Sequence, residues 1–265
     1  MENILLTHDA FGNQSGILLP LYAPHEGDIH DIVRKVSPLI NRALSLRFRE
    51  VIVLIPSFVD RNRNRASLAL LSLLEKNKNL RKIKILTLRG EQSDILNRGL
   101  RELHSEAIKY AFIVSSETSN YLVPENLAKM YEALCKGAFV TGLAIRNSEI
   151  KRKDDLIYKN VLKGCISNTF AAWEIKPLNW VGNFDSFRGA EEIAPIIRLL
   201  KKQTDKKDTA CIAPIIPFKQ LSLEIDKKYP RRYQFITESR ETSIDHEVHR
   251  VDGDLKLIKK AILRG

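Results

Sequence analysis

At 265 residues, 44% apolar and 28% charged, the chain can bury one sizeable core, and its composition excludes a disordered or fibrous protein. No stretch approaches the ~20 apolar residues that cross a bilayer. The formal charge of +11 favours acidic partners, but few aromatics interleave with the basic clusters (Arg61/Arg63/Arg65, Lys151/Arg152/Lys153, Lys201/Lys202/Lys206/Lys207), which argues against specific nucleic-acid binding.

In chain order, apolar runs that read as buried strands alternate with segments of helical period. Ile17–Tyr22 is the first strand. A helix follows with Ile29, Ile32, Val33, Val36, Ile40, Ala43 and Leu44 on one face, bent or divided at Pro38. Val51–Ile55 is the second strand, stopped by Pro56, and Leu68, Leu71 and Leu74 mark the next helix. Ile83–Leu88 is the third strand, leading through Gly90 to a helix with Ile95, Leu96, Leu100, Leu103 and Ala107. Tyr110–Val114 is the fourth, and Pro124 suits the first turn of a helix carrying Leu127, Met130, Tyr131 and Leu134. Ala138–Ile145 is the fifth.

Continuous apolar strands joined by helices predict an α/β fold, a mostly parallel sheet covered on both faces. Such sheets bind ligands beyond the carboxyl ends of their strands. After residue 150 the alternation loosens. Asn168–Gly189 holds both tryptophans, a helix is expected from about Ala190 to Lys202, and a polar linker follows at 203–208. The expected organisation is one domain over 1–202, with a C-terminal extension over 203–265 packing on or beside it. Cys135, Cys165 and Cys211 form neither metal spacing nor a disulfide framework and read as free, mostly buried thiols. The N-terminus lacks the basic and apolar regions of a secretory signal, so the cytoplasm is the expected location.

Six short elements in order give the chain its resemblance. They are Pro20-Leu21-Tyr22-Ala23, Val53-Leu54-Ile55-Pro56-Ser57-Phe58, Leu96-Asn97-Arg98-Gly99-Leu100, Ile113 to Leu127, Trp180-Val181-Gly182-Asn183-Phe184-Asp185 and Gly189-Ala190-Glu191-Glu192. Together they resemble family 2 glycosyltransferases of the GT-A fold over about residues 17–202, with altered donor and metal motifs. The resemblance implies a Rossmann-like α/β/α sandwich. It also implies a nucleotide-diphospho-sugar donor such as a UDP-sugar, a glycan, lipid-linked or protein hydroxyl acceptor, magnesium or manganese, and inversion at the sugar.

Carried over residue by residue, the resemblance places donor binding at Pro20, Leu21, Tyr22, Ala23, Ser57, Asn97, Glu117 and Thr118. It places the metal at Glu117, Ser119 and Asn120, the base at Glu192 supported by Glu191, and the acceptor at Trp173, Trp180 and Asn183. Two readings stand for Glu117-Thr118-Ser119-Asn120: an ion held by one carboxylate, or a polar turn that kept its shape without its ligands. Glu191 and Glu192 equally suit the acid-favouring start of any helix. Ile55-Pro56 replaces the acidic pair that faces the nucleoside in that family, so base recognition is altered. Arg61, Arg63 and Arg65 flank a helix start and suit either a bound anion or solvent. His246 and His249 lie in no matching motif. Peripheral contact with an anionic membrane fits the charge.

The leading expectation is an active glycosyltransferase. Its first rival is a catalytically inactive glycosyltransferase-like binding or scaffold protein. A nucleic-acid-binding or nucleotidyl-transferring protein is the third class.

Overall fold

The computed structural model describes residues 12–21, 29–57, 68–69, 71–72, 83–90, 92–144, 166–184, 195–196, 198–199 and 212–216. Seven strands make one sheet: β1 (Ser15–Pro20), β2 (Glu50–Ser57), β3 (Lys84–Arg89), β4 (Tyr110–Val114), β5 (Val140–Ala144), β6 (Ile166–Glu174) and β7 (Ile212–Ile216). The described helices are α1 (Ile29–Ser45), α2 (Gln92–Ser105), α3 (Pro124–Cys135) and α4 (Ile175–Trp180).

The strand order is β3-β2-β1-β4-β6-β5-β7. The pairs β1–β2, β1–β4, β2–β3 and β5–β7 are parallel, and β6 alone runs against its neighbours β4 and β5. The expected α/β class with a mostly parallel sheet is therefore observed.

Alternation along each strand divides the core in two. Ile17, Leu19, Val53, Phe112 and Phe170 face Leu39, Ile40 and Ala43 of α1 and Leu127 and Met130 of α3. Leu18, Leu54, Ala111, Ile113 and Trp173 face Leu96, Leu100 and Leu103 of α2, joined by Leu178, Phe184, Ile196 and Leu199. A sheet with helices packed on both faces is an α/β/α sandwich. On the α2 side the approach is close. A Cβ at Gly99 would stand 2.9 Å from Leu18 Cδ2 and 3.2 Å from Leu54 Cδ1, so only glycine lets α2 sit this low on the sheet.

Three details of the sheet differ from the sequence reading. Pro56 does not stop β2, which runs to Ser57 with Pro56 paired to Leu88 of β3. Pro56 has the parity of Leu54, whose carbonyl accepts from the Leu21 N–H at 2.9 Å. Its missing N–H therefore faces β1, whose register with β2 has ended at Pro20–Leu54, and a proline is tolerated where no ladder bond is due. Residues 166–174, read only as a tryptophan-bearing stretch, form β6. Ile212–Ile216, within the segment read as an extension, is hydrogen-bonded into the sheet beside β5.

Pro38 lies inside α1, which is assigned without interruption from Ile29 to Ser45. Cys135 is exposed, not buried. Cys165 and Cys211 lie outside the described residues, as do the Arg61/Arg63/Arg65 cluster and His246 and His249. No described helix is long and apolar enough to cross a membrane.

Candidate functional site

The strand order reverses between β1 and β4. From β1 the strands step outward to β2 and β3, whereas β4 lies on the other flank of β1. Open α/β sheets bind ligands beyond the carboxyl ends of their strands at such a reversal, and here the helices that follow the two strands, α1 and α3, pack on the same face. The ladder itself stops early there. β1–β4 pairing ends at Leu18–Ile113, and Pro20, which has no N–H, stands just past it.

The polar segment after β4 lines this rim. Ser116–Tyr121 is a single 3-10 helix, fastened on three sides. Towards β6, the Ser115 N–H donates to the Thr169 carbonyl at 2.8 Å, and the Thr118 hydroxyl contacts the Thr169 and Ser115 carbonyls. Towards α1, Arg42 Nη1 donates to the Ser119 carbonyl at 2.8 Å. Towards α3, Asn126 Nδ2 donates to the Tyr121 carbonyl at 2.9 Å, and the Tyr121 ring packs against Phe170 at 6.0 Å between centroids.

These contacts sort the predicted residues. Thr118 is wholly buried, and its one hydroxyl proton is directed at main-chain carbonyls, so it braces the turn from within. Ser119 is half-buried and Asn120 exposed; the structure describes the backbone of Glu117 in the same turn. Pro20, Leu21 and Ser57 lie at the carboxyl ends of β1 and β2, close to this rim in the fold. Leu21 is 1% exposed, so its side chain belongs to the core. Ile55, also 1% exposed, does too. An apolar residue at that position is explained by the core it fills. Tyr22, Ala23, Glu191 and Glu192 lie outside the described residues.

Asn97, expected at the donor, is engaged elsewhere. Its Nδ2 donates to the Phe184 carbonyl at 2.9 Å, and its Oδ1 accepts from the Phe184 N–H at 3.1 Å. The element around Phe184 is a helix stop. The Asn183 N–H reaches back to the Leu178 carbonyl at 3.0 Å, with Gly182 at φ 95° and Asn183 at φ 63°. Both are residues that accept the left-handed region at the end of a helix. Phe184 is then buried edge-on against Trp173, with ring centroids 5.3 Å apart. Two of the six elements behind the resemblance thus make direct contact.

The expected acceptor residues do not come together at the rim. Trp173 is fully buried in mid-sheet and donates its indole N–H to Asn168 Oδ1 at 2.9 Å. Trp180 is 72% exposed, but α4 starts where β4 starts, with the Ile175 N–H on the Lys109 carbonyl at 3.0 Å. The 3-10 turn starts where β4 ends. The length of that five-residue strand, about 15 Å at ~3.3 Å per residue, separates the two. Asn183 sits in the helix stop.

Among the described residues no group of three or more His, Cys, Asp or Glu side chains could hold a metal ion. Sequence reasoning passed over Arg42 and Asn168. Arg42 shows only as a basic residue in the last turn of a helix, and Asn168 as a polar residue in an otherwise small and apolar run. Neither signal points to a site by itself.

No protein-family model and no curated protein matches the chain. Among solved structures it is similar to a cytidylyltransferase from Leptospira borgpetersenii serovar Hardjo-bovis, with TM-score 0.44 and 13% identity over 77% of this chain and 76% of that one. It is also similar to 4-diphosphocytidyl-2C-methyl-D-erythritol synthase from Anaerococcus prevotii, with TM-score 0.39 and 14% identity over 81% of this chain and 85% of that one. At these identities neither likeness speaks to chemistry.

Proposed function

We propose that the chain is a transferase of the glycosyltransferase kind, holding a nucleoside-diphosphate-linked sugar beyond β1 and β4 and passing the sugar to a hydroxyl acceptor. The observation that supports this reading is the reversal of strand order between β1 and β4, with the Ser116–Tyr121 turn fastened beside their carboxyl ends. Glu192 is the proposed base. It takes the acceptor hydroxyl's proton as that oxygen bonds to the anomeric carbon, while the bond to the diphosphate breaks on the opposite face. Glu191 beside it is the supporting acid.

Among the described residues no group of three or more carboxylate, His or Cys side chains could hold magnesium or manganese; the residues that the resemblance assigns to the ion are Glu117, Ser119 and Asn120. The acceptor is a glycan, lipid-linked or protein hydroxyl.

Calorimetric titration with UDP, CDP, GDP, UTP and CTP, with and without manganese, tests the reading. Saturable binding of a diphosphate, with sugar transfer abolished but binding retained in Glu192→Gln, is the expected result. Silence across the panel sinks it, and release of pyrophosphate from CTP or UTP moves the chain to nucleotidyl transfer.

A second reading, a binding or scaffold protein without catalysis, draws on the turn itself. The Thr118 hydroxyl and the Ser119 carbonyl are engaged inside the fold. Its signature is nucleotide binding with no turnover and no effect of Glu192→Gln.

A further inference from the structure

β6 parts from β5 at the same rim. Gly142 pairs with Ala171, but Ala144 pairs with Ile166, so one residue of β5 faces four of β6 across a bulge. Through this stretch β6 stays bonded to the end of β4, with Phe170 opposite Val114 and the Thr169 carbonyl on the Ser115 N–H. Bulges re-aim side chains and gather beside functional sites.

The bulged stretch holds Asn168, which is 5% exposed. Its Oδ1 accepts from the Trp173 indole at 2.9 Å. An indole N–H can only donate, so the atom facing it must be the amide oxygen. The amide orientation is therefore determined, and the remaining group is an NH2. That Nδ2 has no hydrogen-bond partner among the described residues. A buried donor without an acceptor is costly. Ser15 Oγ, Ser93 Oγ and Asn183 Oδ1 are also buried without partners among the described residues, and Asn168 is the one of the four that adjoins Thr169, the anchor of the 3-10 turn.

Asn168 precedes Thr169, which anchors the 3-10 turn, and its partner Trp173 packs on Phe184, where the chain leaves for the segment carrying Glu191 and Glu192. We infer that Asn168 is a ligand-contacting residue whose Nδ2 donates to an oxygen of the sugar-diphosphate moiety held at this rim. The inference rests on the nucleotide reading above. A diphosphate oxygen and a sugar hydroxyl share the required chemistry, and Trp173 holds the amide ready for either.

Binding is measured by calorimetry for the wild-type chain, Asn168→Asp and Asn168→Ala, using whichever of UDP, CDP and GDP the wild type binds. The matching monophosphate and nucleotide sugar serve as further arms. Asn168→Asp keeps an oxygen for Trp173 and removes the donor while adding a negative charge, and Asn168→Ala removes the donor without adding one. Both variants are expected to lose about tenfold in affinity, the ratio for one hydrogen bond. A loss already present with the diphosphate assigns the contact to phosphate, and a loss confined to the nucleotide sugar assigns it to the sugar.

NMR of the Asn168 side-chain amide in the wild-type chain gives a reading independent of variant folding: ligand is expected to shift its protons and slow their exchange. Unchanged affinity in both variants, or an amide unmoved at saturation, overturns the role of Asn168 and leaves the nucleotide reading intact. A wild-type chain that binds no nucleotide overturns both.

Discussion

Asn97 and Phe184, 87 residues apart in sequence, are joined by both ends of one amide, with Nδ2 on the Phe184 carbonyl at 2.9 Å and Oδ1 on its N–H at 3.1 Å. A residue expected to touch the donor instead fixes Phe184, just past the α4 stop, against α2. Asn97→Ala leaves two partly buried main-chain groups without partners. It is expected to cost about 2–4 kcal/mol, read as a lower urea midpoint at unchanged slope. An unchanged midpoint would show that water replaces the amide without loss.

Gly99 is tested by Gly99→Ala. Alanine gains about 1 kcal/mol of helix propensity over glycine, but its methyl would sit 2.9 Å and 3.1 Å from the two Leu18 methyls and 3.2 Å from Leu54 Cδ1. Overpacking of this kind costs about 1–3 kcal/mol. A net destabilisation of about 1 kcal/mol is expected by chemical denaturation, and a stabilised variant would mean that α2 can rise off the sheet freely.

Arg42 holds the Ser119 carbonyl from an exposed position on α1. Arg42→Ala is therefore expected to change stability by less than about 1 kcal/mol. Under the proposed function it weakens nucleotide binding several-fold, because the turn loses its tether on the α1 side. Equal affinity by calorimetry would show that Thr118 and Asn126 position the turn unaided.

The edge strand β3 is tied to α2 by charge: Lys84 Nζ lies 2.5 Å from Glu102 Oε2, and Arg98 Nη2 2.6 Å from Glu102 Oε1. The hydrogen bond from Lys84 holds the Glu102 carboxyl below its ordinary range, and the same bond raises Lys84. A depressed carboxylate stabilises fully above its unfolded value and loses that contribution as pH falls through its folded one. The raised ammonium contributes below its unfolded value and loses it as pH climbs through its folded one. Glu102→Gln should thus flatten the acid limb of stability by at most about 1 kcal/mol, less at high salt, because Lys84 is largely solvated. An acid limb identical to the wild type's would show the cluster to be energetically idle.

The chain's periodicity carries the fold class, because a strand buried on both faces must be apolar throughout, as Ile17–Leu19, Val51–Ile55 and Tyr110–Val114 are. β6 was not legible: Ser167, Asn168 and Thr169 break the run, and their bulge has meaning only against the end of β4. β7 was not legible either, because Ile212–Ile216 is a short apolar run broken by Pro214 within the segment read as a C-terminal extension, and it becomes a strand only where β5 offers an edge. Pro56 read as a stop, since a proline's cost depends on whether a neighbour awaits its N–H.

By itself, then, the sequence determined a mostly parallel sheet with helices on both faces, and it drew attention to the segments beyond the carboxyl ends of its strands. Local pattern suffices there, because burial and period are properties of neighbouring residues. Only the tertiary structure decided that Asn97 clamps Phe184, that Trp173 is core, that the helix carrying Trp180 starts at the other end of β4 from the turn, and that Asn168 keeps a donor without a partner among the described residues. Each of these depends on which distant group occupies the other end of a hydrogen bond, and no one-dimensional spacing encodes that.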